Sequence, residues 1–195
     1  VTDKLYAYFS DVYYILDSKE IVSLTEAGKN MSTLTIPSDV TSIASNAFYG
    51  ADAEVITYDG AGTDTASYAD SAPQLTIVGA NAFGGCTNLK ELRLPSSVTT
   101  IGNNALAGCT SLETLEMPYV IGACEGLVNG LYISGLSKLF GSTSFDVPTT
   151  LLHIIINGGT TINNYAFYMC NSIVDISIPK SITKMSAASL YNAGG

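Results

Sequence analysis

The 195-residue chain has no tryptophan, a single histidine, four cysteines and only eight basic residues. Each scarcity excludes something. Eight Lys and Arg against 17 Asp and Glu leave a formal charge of −9. A nucleic-acid-binding surface needs a basic stripe to meet phosphates, so the balance argues against DNA or RNA as a partner. Only 13% of the residues are charged, against about 25% in an ordinary domain, while 47% are hydrophobic. That apolar content rules out intrinsic disorder and suits one domain with a continuous core. Apolar runs are short: Ile154-Ile155-Ile156 is separated from Leu151-Leu152 by His153. This falls far below the roughly 20 residues that span a bilayer, so no membrane insertion is expected in this segment. Cys86, Cys109, Cys124 and Cys170 contain no Cys-x-x-Cys pair and are too sparse for a disulfide scaffold. A lone histidine without a G-x-S-x-G motif leaves no catalytic constellation, so neither an enzyme nor a cofactor is expected. Because the chain opens at Val1, it reads as a processed or trimmed product whose signal peptide, had there been one, is already gone.

What the sequence does have is a repeat. Ile43-Ala44-Ser45-Asn46-Ala47-Phe48 recurs as Val78-Gly79-Ala80-Asn81-Ala82-Phe83, as Ile101-Gly102-Asn103-Asn104-Ala105-Leu106 and as Ile162-Asn163-Asn164-Tyr165-Ala166-Phe167. A weaker copy is Met185-Ser186-Ala187-Ala188-Ser189-Leu190. Ala82 to Ala105, Cys86 to Cys109, Leu92 to Leu115 and Ile162 to Met185 are all steps of 23 residues, read from the numbering. Each unit begins with L-x-x-L-x-L-P: Leu89, Leu92, Leu94 and Pro95; then Leu112, Leu115, Met117 and Pro118; then Ile173, Ile176, Ile178 and Pro179. The period-2 core predicts a short strand buried on one face, ended by proline because proline cannot donate to a continuing ladder. The following block, with apolar residues three and four apart, predicts a tight helical or 3₁₀ turn rather than a second flat strand. A 23-residue unit cannot bury its own apolar face, so the coils must stack, with strands about 4.8 Å apart in a parallel sheet. Phe48, Phe83 and Phe167, with Leu106 substituting, are expected to form a buried row on the far side. The Ala before each keeps adjacent coils close. Asn46, Asn81 and Asn104 are expected to hydrogen-bond exposed backbone of the turn.

These L-x-x-L-x-L-P and I-x-x-x-A-F-x-x-C units resemble leucine-rich repeats of the BspA-like class, found in bacterial and some protist surface proteins. The resemblance covers roughly residues 31–124 and 150–195. It implies a right-handed leucine-rich repeat solenoid with a parallel sheet on one face and short helical or 3₁₀ turns and loops on the other. It further implies a secreted or cell-surface protein associated with adhesion, bound to a host or matrix protein or glycan, and no enzyme. The competing reading is a structural spacer that displays another domain and has no ligand of its own.

The period fails in three places. Ala47 to Ala82 is 35 residues, which places a looped-out insertion at about 59–73. Ala105 to Ala166 is 61 residues, and the Gly- and Leu-rich segment 119–147 reads as a remodelled part-repeat, ending in the Gly158–Thr161 turn. It is similar to an insertion of Gram-positive members of that class. Residues 1–30 match no unit; Tyr13 to Leu24 reads as two strands around a polar turn, a hairpin capping the solenoid that occupies 31–195. At the other end Leu190 to Gly195 stops in mid-repeat, which reads as truncation or a linker.

Candidate binding residues follow from the strand alternation. Between the inward positions lie Thr33 and Thr35, Glu91 and Arg93, Thr114 and Glu116, His153 and Ile155, and Asp175 and Ser177, the set expected to face a partner across the concave sheet. Tyr49, Tyr168 and Tyr191 are expected near the convex surface. Cys86, Cys109 and Cys170 share one repeat position and read as stacked buried thiols rather than a disulfide or metal site. Asp59, Asp64 and Asp70 are oxygen donors, but their spacing fits no calcium loop and favours a solvated insertion. Asn30-Met31-Ser32 fits a glycosylation sequon, a match that also arises by chance.

Overall fold

The structure is a computed structural model that describes residues 8–9, 11–16, 18–59, 73–120, 126–128, 131–133, 135–141, 147–168 and 170–190. In chain order, β1 (Tyr8–Phe9), β2 (Tyr13–Ile15) and β3 (Glu20–Leu24) precede the one-turn helix α1 (Glu26–Lys29). Next come β4 (Thr33–Ile36), β5 (Ser42–Ile43), β6 (Val55–Tyr58), β7 (Ile77–Val78), β8 (Glu91–Arg93), β9 (Thr100–Ile101) and β10 (Thr114–Met117). The remaining strands are β11 (Gly126–Val128), β12 (Leu131–Ile133), β13 (His153–Ile156), β14 (Thr161–Ile162), β15 (Asp175–Ser177) and β16 (Lys184–Met185).

The longer strands form one parallel sheet in the order β15-β13-β10-β8-β6-β4. Its register is that of a stack of equal coils: Leu34 lies beside Ile56, Ile56 beside Leu92, Leu92 beside Leu115, Leu115 beside Ile154, and Ile154 beside Ile176. All but Ile176 are fully buried, and each such side chain contributes about 2 kcal/mol relative to exposure. Proline ends these strands as the donor argument requires: Pro37, Pro95, Pro118 and Pro179 each stand one or two residues beyond a strand. After three of them the chain turns through an i→i+3 bond, Val40 N to Pro37 O, Val98 N to Pro95 O and Ile182 N to Pro179 O at 3.1–3.2 Å.

The second block differs from expectation at its start. It opens with a two-residue strand, and β3, β5, β7 and β9 pair in parallel as a second, narrower sheet. Two residues are too few for a visible period, yet they bury Ile43, Val78 and Ile101 on one side. Only then do the expected turns follow, closed by bonds such as Ala47 N to Ala44 O at 3.2 Å and Cys109 N to Leu106 O at 3.1 Å. Asn46, Asn81 and Asn104 occupy these turns with φ of 61°, 51° and 59°. The backbone, rather than an amide hydrogen bond, accounts for the asparagine, which tolerates the left-handed region best after glycine. Tyr165 holds the same place at φ 60°.

Coils approach most closely beside these turns. A Cβ on Gly79 would lie 2.4 Å from Ser45 N, and one on Gly102 would lie 2.4 Å from Ala80 N. The aromatic row is present in two pieces. Phe48 and Phe83 meet at 5.1 Å between ring centroids, and Tyr13 extends the row at 6.0 Å from Phe48. Phe167 instead packs on Tyr119 at 6.5 Å. Leu106 and Leu139 fill the gap between, where they line a void of about 10 Å³ with Phe83. Tyr119 and Val120 are buried, and Leu106 N donates to Leu139 O at 2.7 Å, so this much of the 119–147 segment lies in the stack. Most of the 59–73 segment, with Asp64 and Asp70, lies outside the described residues, as do Cys124 and Tyr191.

At the N-terminal end β1, β2 and β3 pair antiparallel, so the predicted hairpin is present. Tyr13 Oη donates to Thr35 O at 2.7 Å, laying the hairpin across the first strand of the long sheet. Thr25 caps α1 by accepting from Gly28 N at 3.0 Å.

Candidate functional site

Parallel sheets are ordinarily covered on both faces. Here one face carries the core, and the other presents half-buried positions in β8, β10 and β13 and exposed ones in β4 and β15. Side chains alternate across a strand, so this outward face carries two columns at the inter-strand spacing. One runs Thr33, Val55, Glu91, Thr114, His153, Asp175, and the other contains Thr35, Thr57, Arg93, Glu116, Ile155 and Ser177. Every residue expected on this face is there. Val55 and Thr57 of β6 were missed, because that coil lacks the L-x-x-L-x-L-P signature; the β-branched alternation of Val55-Ile56-Thr57 was the available signal.

The centre of the face is a charge network. Arg93 Nε donates to Glu91 Oε1, and its Nη1 donates to Glu116 Oε2 at 2.8 Å. Glu91, by hydrogen bonding and charge, holds the guanidinium above its ordinary pKa against the opposing effect of burial, and Glu116 adds to it. An amide also steadies the carboxylate, since Asn157 Nδ2 donates to Glu116 Oε1 at 3.1 Å and to Leu94 O at 2.8 Å. The second contact has a local cause. In this ladder Leu94 O should accept from residue 118, but Pro118 has no N–H. Asn157 stands where four other coils have proline, so its own N–H still reaches Met117 O at 3.1 Å while its side chain serves the carbonyl that Pro118 leaves open. Tyr58 lies near this network, its phenol raised above the ordinary value by burial and then by the Glu116 charge, with Arg93 opposing.

One rung further, His153 Nδ1 sits 2.5 Å from Asp175 Oδ2, with both side chains about half exposed. The carboxylate orients the ring. Register brings the two together across β13 and β15, a pairing that linear spacing alone did not disclose. Beside the face, Lys90 and Glu54 pair at 2.7 Å.

The three described cysteines sit inside the stack. Cys86, Cys109 and Cys170 are buried thiols. Cys86 Sγ donates to Phe48 O and Cys109 Sγ to Phe83 O, each at 3.1 Å, so each thiol ties its turn to the coil before it. Hydrogen bonding with the neighbouring Cys86, and then burial, push the Cys109 thiol up. Asp59 uses Oδ2 to accept from Ser38 N at 3.1 Å, tying its coil to the one before it. Among the described residues no three His, Cys, Asp or Glu gather as a metal site would require, and no helix is long and apolar enough to cross a membrane.

Comparison with known proteins agrees with this geometry. Residues 20–69, 61–125 and 131–194 match the BspA type leucine rich repeat region, in six copies, and the chain belongs to that family. No curated protein matches. Among solved structures, a leucine-rich repeat protein from Eubacterium ventriosum superposes with a TM-score of 0.53 at 22% identity, covering 94% of this chain and 50% of its own. This chain therefore spans about half the length of that protein. The pneumococcal vaccine antigen PcpA gives 0.48 at 14% identity over 94% of this chain and 43% of its own. A leucine-rich cell surface protein from Faecalibacterium prausnitzii gives 0.41 at 19% identity over 98% and 53%.

Proposed function

We propose that this member of the BspA-type leucine-rich repeat family is a non-enzymatic binding module of an exported or cell-surface bacterial protein, engaging a protein or glycan through the outward face of its long sheet. The observation that carries the reading is the outward face of the long parallel sheet, whose described positions are mostly polar and half-buried or exposed. Its side chains stand in two ordered columns around the Glu91–Arg93–Glu116–Asn157 network. Side chains already fixed by neighbours lose little further entropy when a partner docks. The face mixes threonine, isoleucine and paired charges, which suits a partner presenting complementary hydrogen bonds and small apolar contacts rather than one of uniform charge.

The test is a binding screen of the chain against immobilised host matrix proteins and glycan arrays. It is repeated with Thr35→Ala, Glu116→Ala, His153→Ala and Ser177→Lys, and with Tyr49→Ala as an off-face control. Loss of a positive signal in the face variants, with retention in the control, is the expected result. A signal that follows Tyr49 instead, or no binding by the intact parent protein, would leave the spacer reading in its place.

A further inference from the structure

Asparagine is a thermolabile residue, and most so before glycine, which has no Cβ to keep its nitrogen away from the asparagine amide carbon. Asn157-Gly158 is such a pair, and its asparagine belongs to the network at the centre of the outward face. Two features leave it open to reaction. Among the described residues no hydrogen bond engages Gly158 N. Gly159 and Thr160, the next two residues, are exposed, so solvent stands beside the pair. Other contacts hold it back. Asn157 Nδ2 is tied to Glu116 Oε1 at 3.1 Å and to Leu94 O at 2.8 Å. The backbone is pinned on either side, by Asn157 N to Met117 O at 3.1 Å and by Tyr119 N to Gly158 O at 3.0 Å. Asn157 Oδ1 is buried without a partner, so the amide is held by its nitrogen alone.

We propose that Asn157-Gly158 is a self-modification site, restrained by Glu116, at which Asn157 is converted to aspartate and isoaspartate with water as the only co-reactant. Gly158 N attacks Asn157 Cγ, and the new N–Cγ bond closes a succinimide ring. The Cγ–Nδ2 bond breaks, and the nitrogen leaves as ammonia, taking up the proton that Gly158 N gives away. Water then adds to one of the two ring carbonyls and breaks its bond to nitrogen. Opening at Cγ gives aspartate; opening at the backbone carbonyl gives isoaspartate, whose main chain runs through Cβ and Cγ. No oxidant or reductant takes part. Either product undoes the same contacts. A carboxylate has no proton for Leu94 O, and at neutral pH it sets a second negative charge against Glu116. Isoaspartate also lengthens the main chain between the bonds to Met117 and Tyr119. Where the outward face is the binding face, modification disables its centre, but the chemistry does not rest on that reading.

Peptide mapping of the whole chain after incubation in mildly alkaline buffer tests the proposal. It scores the mass gain of amide-to-acid exchange, with isoaspartate labelled by an isoaspartyl methyltransferase. Asn88 and Asn163, which glycine does not follow, are internal references, and the parent chain in denaturant gives the unrestrained rate. In the native parent Asn157 should convert while Asn88 and Asn163 stay intact, and more slowly than in the unfolded chain. Glu116→Ala should speed the conversion several-fold by releasing the amide nitrogen. Gly102→Ala, which crowds a different pair of coils, separates that local release from general loosening and should leave the rate near the parental one. Asn157→Asp should lower the melting temperature, as conversion does. An Asn157 that stays intact in the native parent over the period in which the unfolded chain converts overturns the proposal. So does a Glu116→Ala rate no higher than that of Gly102→Ala. The readout needs no ligand, so the binding screen above succeeds or fails independently.

Discussion

Replacing Gly102 by alanine tests the stacking principle at its tightest point. A Cβ there would lie 2.4 Å from Ala80 N, 2.6 Å from Gly79 C and 2.7 Å from Ala80 Cα, all backbone of the preceding coil. Comfortable heavy-atom contacts are about 3.5–4 Å, so the coils must separate by roughly 1 Å. The ladder resists this separation. Gly102 N reaches Val78 O at 2.8 Å, Thr100 N reaches Thr76 O at 3.1 Å and Asn81 N reaches Asn103 O at 3.1 Å. Widening by an ångström carries all three past useful geometry, at about 1 kcal/mol apiece. A loss of about 3 kcal/mol follows, within the range of about 1–3 kcal/mol typical of overpacking. At about 2–4 °C per kcal/mol for a chain of this size, the melting temperature should fall by about 6–12 °C. Gly50→Ala is the matched control. Nothing lies within 4 Å of its Cβ, but φ is +69°, so only left-handed strain of about 1–2 kcal/mol applies. Circular dichroism melts of the two variants decide the matter. If Gly102→Ala melts with the parent, or above Gly50→Ala, close coil approach does not govern stability and the reasoning is wrong.

Asn157→Ala should cost about 1–3 kcal/mol, because it strips the donor from Leu94 O in a partly buried setting, and Asn157→Pro should cost more by also removing the bond to Met117 O; chemical denaturation of the two variants ranks them. Alkaline pH should unfold the protein. Burial, and then the Asp59 charge, raise the Tyr13 phenol above its ordinary 10.0, while burial and then Glu116 raise Tyr58. The unfolded chain releases these protons first, so their stabilisation is intact below pH 10 and is lost as pH rises from there toward the folded values. Melting temperature should therefore decline above about pH 10, less steeply in Tyr58→Phe, and an unchanged melt at about pH 11 would contradict the assignment. Buried thiols should resist chemistry: iodoacetamide should leave Cys86, Cys109 and Cys170 unmodified in the native protein and alkylate all three in denaturant, read by peptide mapping. Native-state labelling of Cys109, the thiol pushed up by Cys86 and burial, would refute the ladder geometry.

Legibility in the sequence follows one physical distinction. Positions buried once per coil repeat with the coil, so Leu92 and Leu115, and the turn residues Phe83 and Leu106, stand out as a 23-residue period. The outward columns came with them, since alternation assigns Glu91, Arg93, Thr114 and Glu116 to the other face once Leu92 and Leu115 are placed. What depends on one coil touching another was not visible. Gly79 and Gly102 carry no mark of their own in the repeat, and their need shows only in the backbone of the preceding coil, 2.4 Å from where a side chain would begin. Asn46, Asn81 and Asn104 were recognised as a set but assigned the wrong cause, because a left-handed φ leaves no mark on sequence beyond the asparagine itself. The His153–Asp175 pair needed the register of β13 on β15.

Asn157 shows the limit most clearly. Proline at position 118 ends a strand in the manner expected, and the same proline deprives Leu94 O of its donor. The compensating amide sits 63 residues beyond that carbonyl, in a coil where the period is broken. It can reach because asparagine stands in a place where proline is the rule. A periodic reading treats that departure as decay of the repeat, whereas a hydrogen-bond account across coils treats it as a requirement created by Pro118. Breaks in a solenoid's consensus are therefore places to look for coupling between coils. Here that coupling also fixes Glu116, and with it the centre of the face proposed to meet a partner.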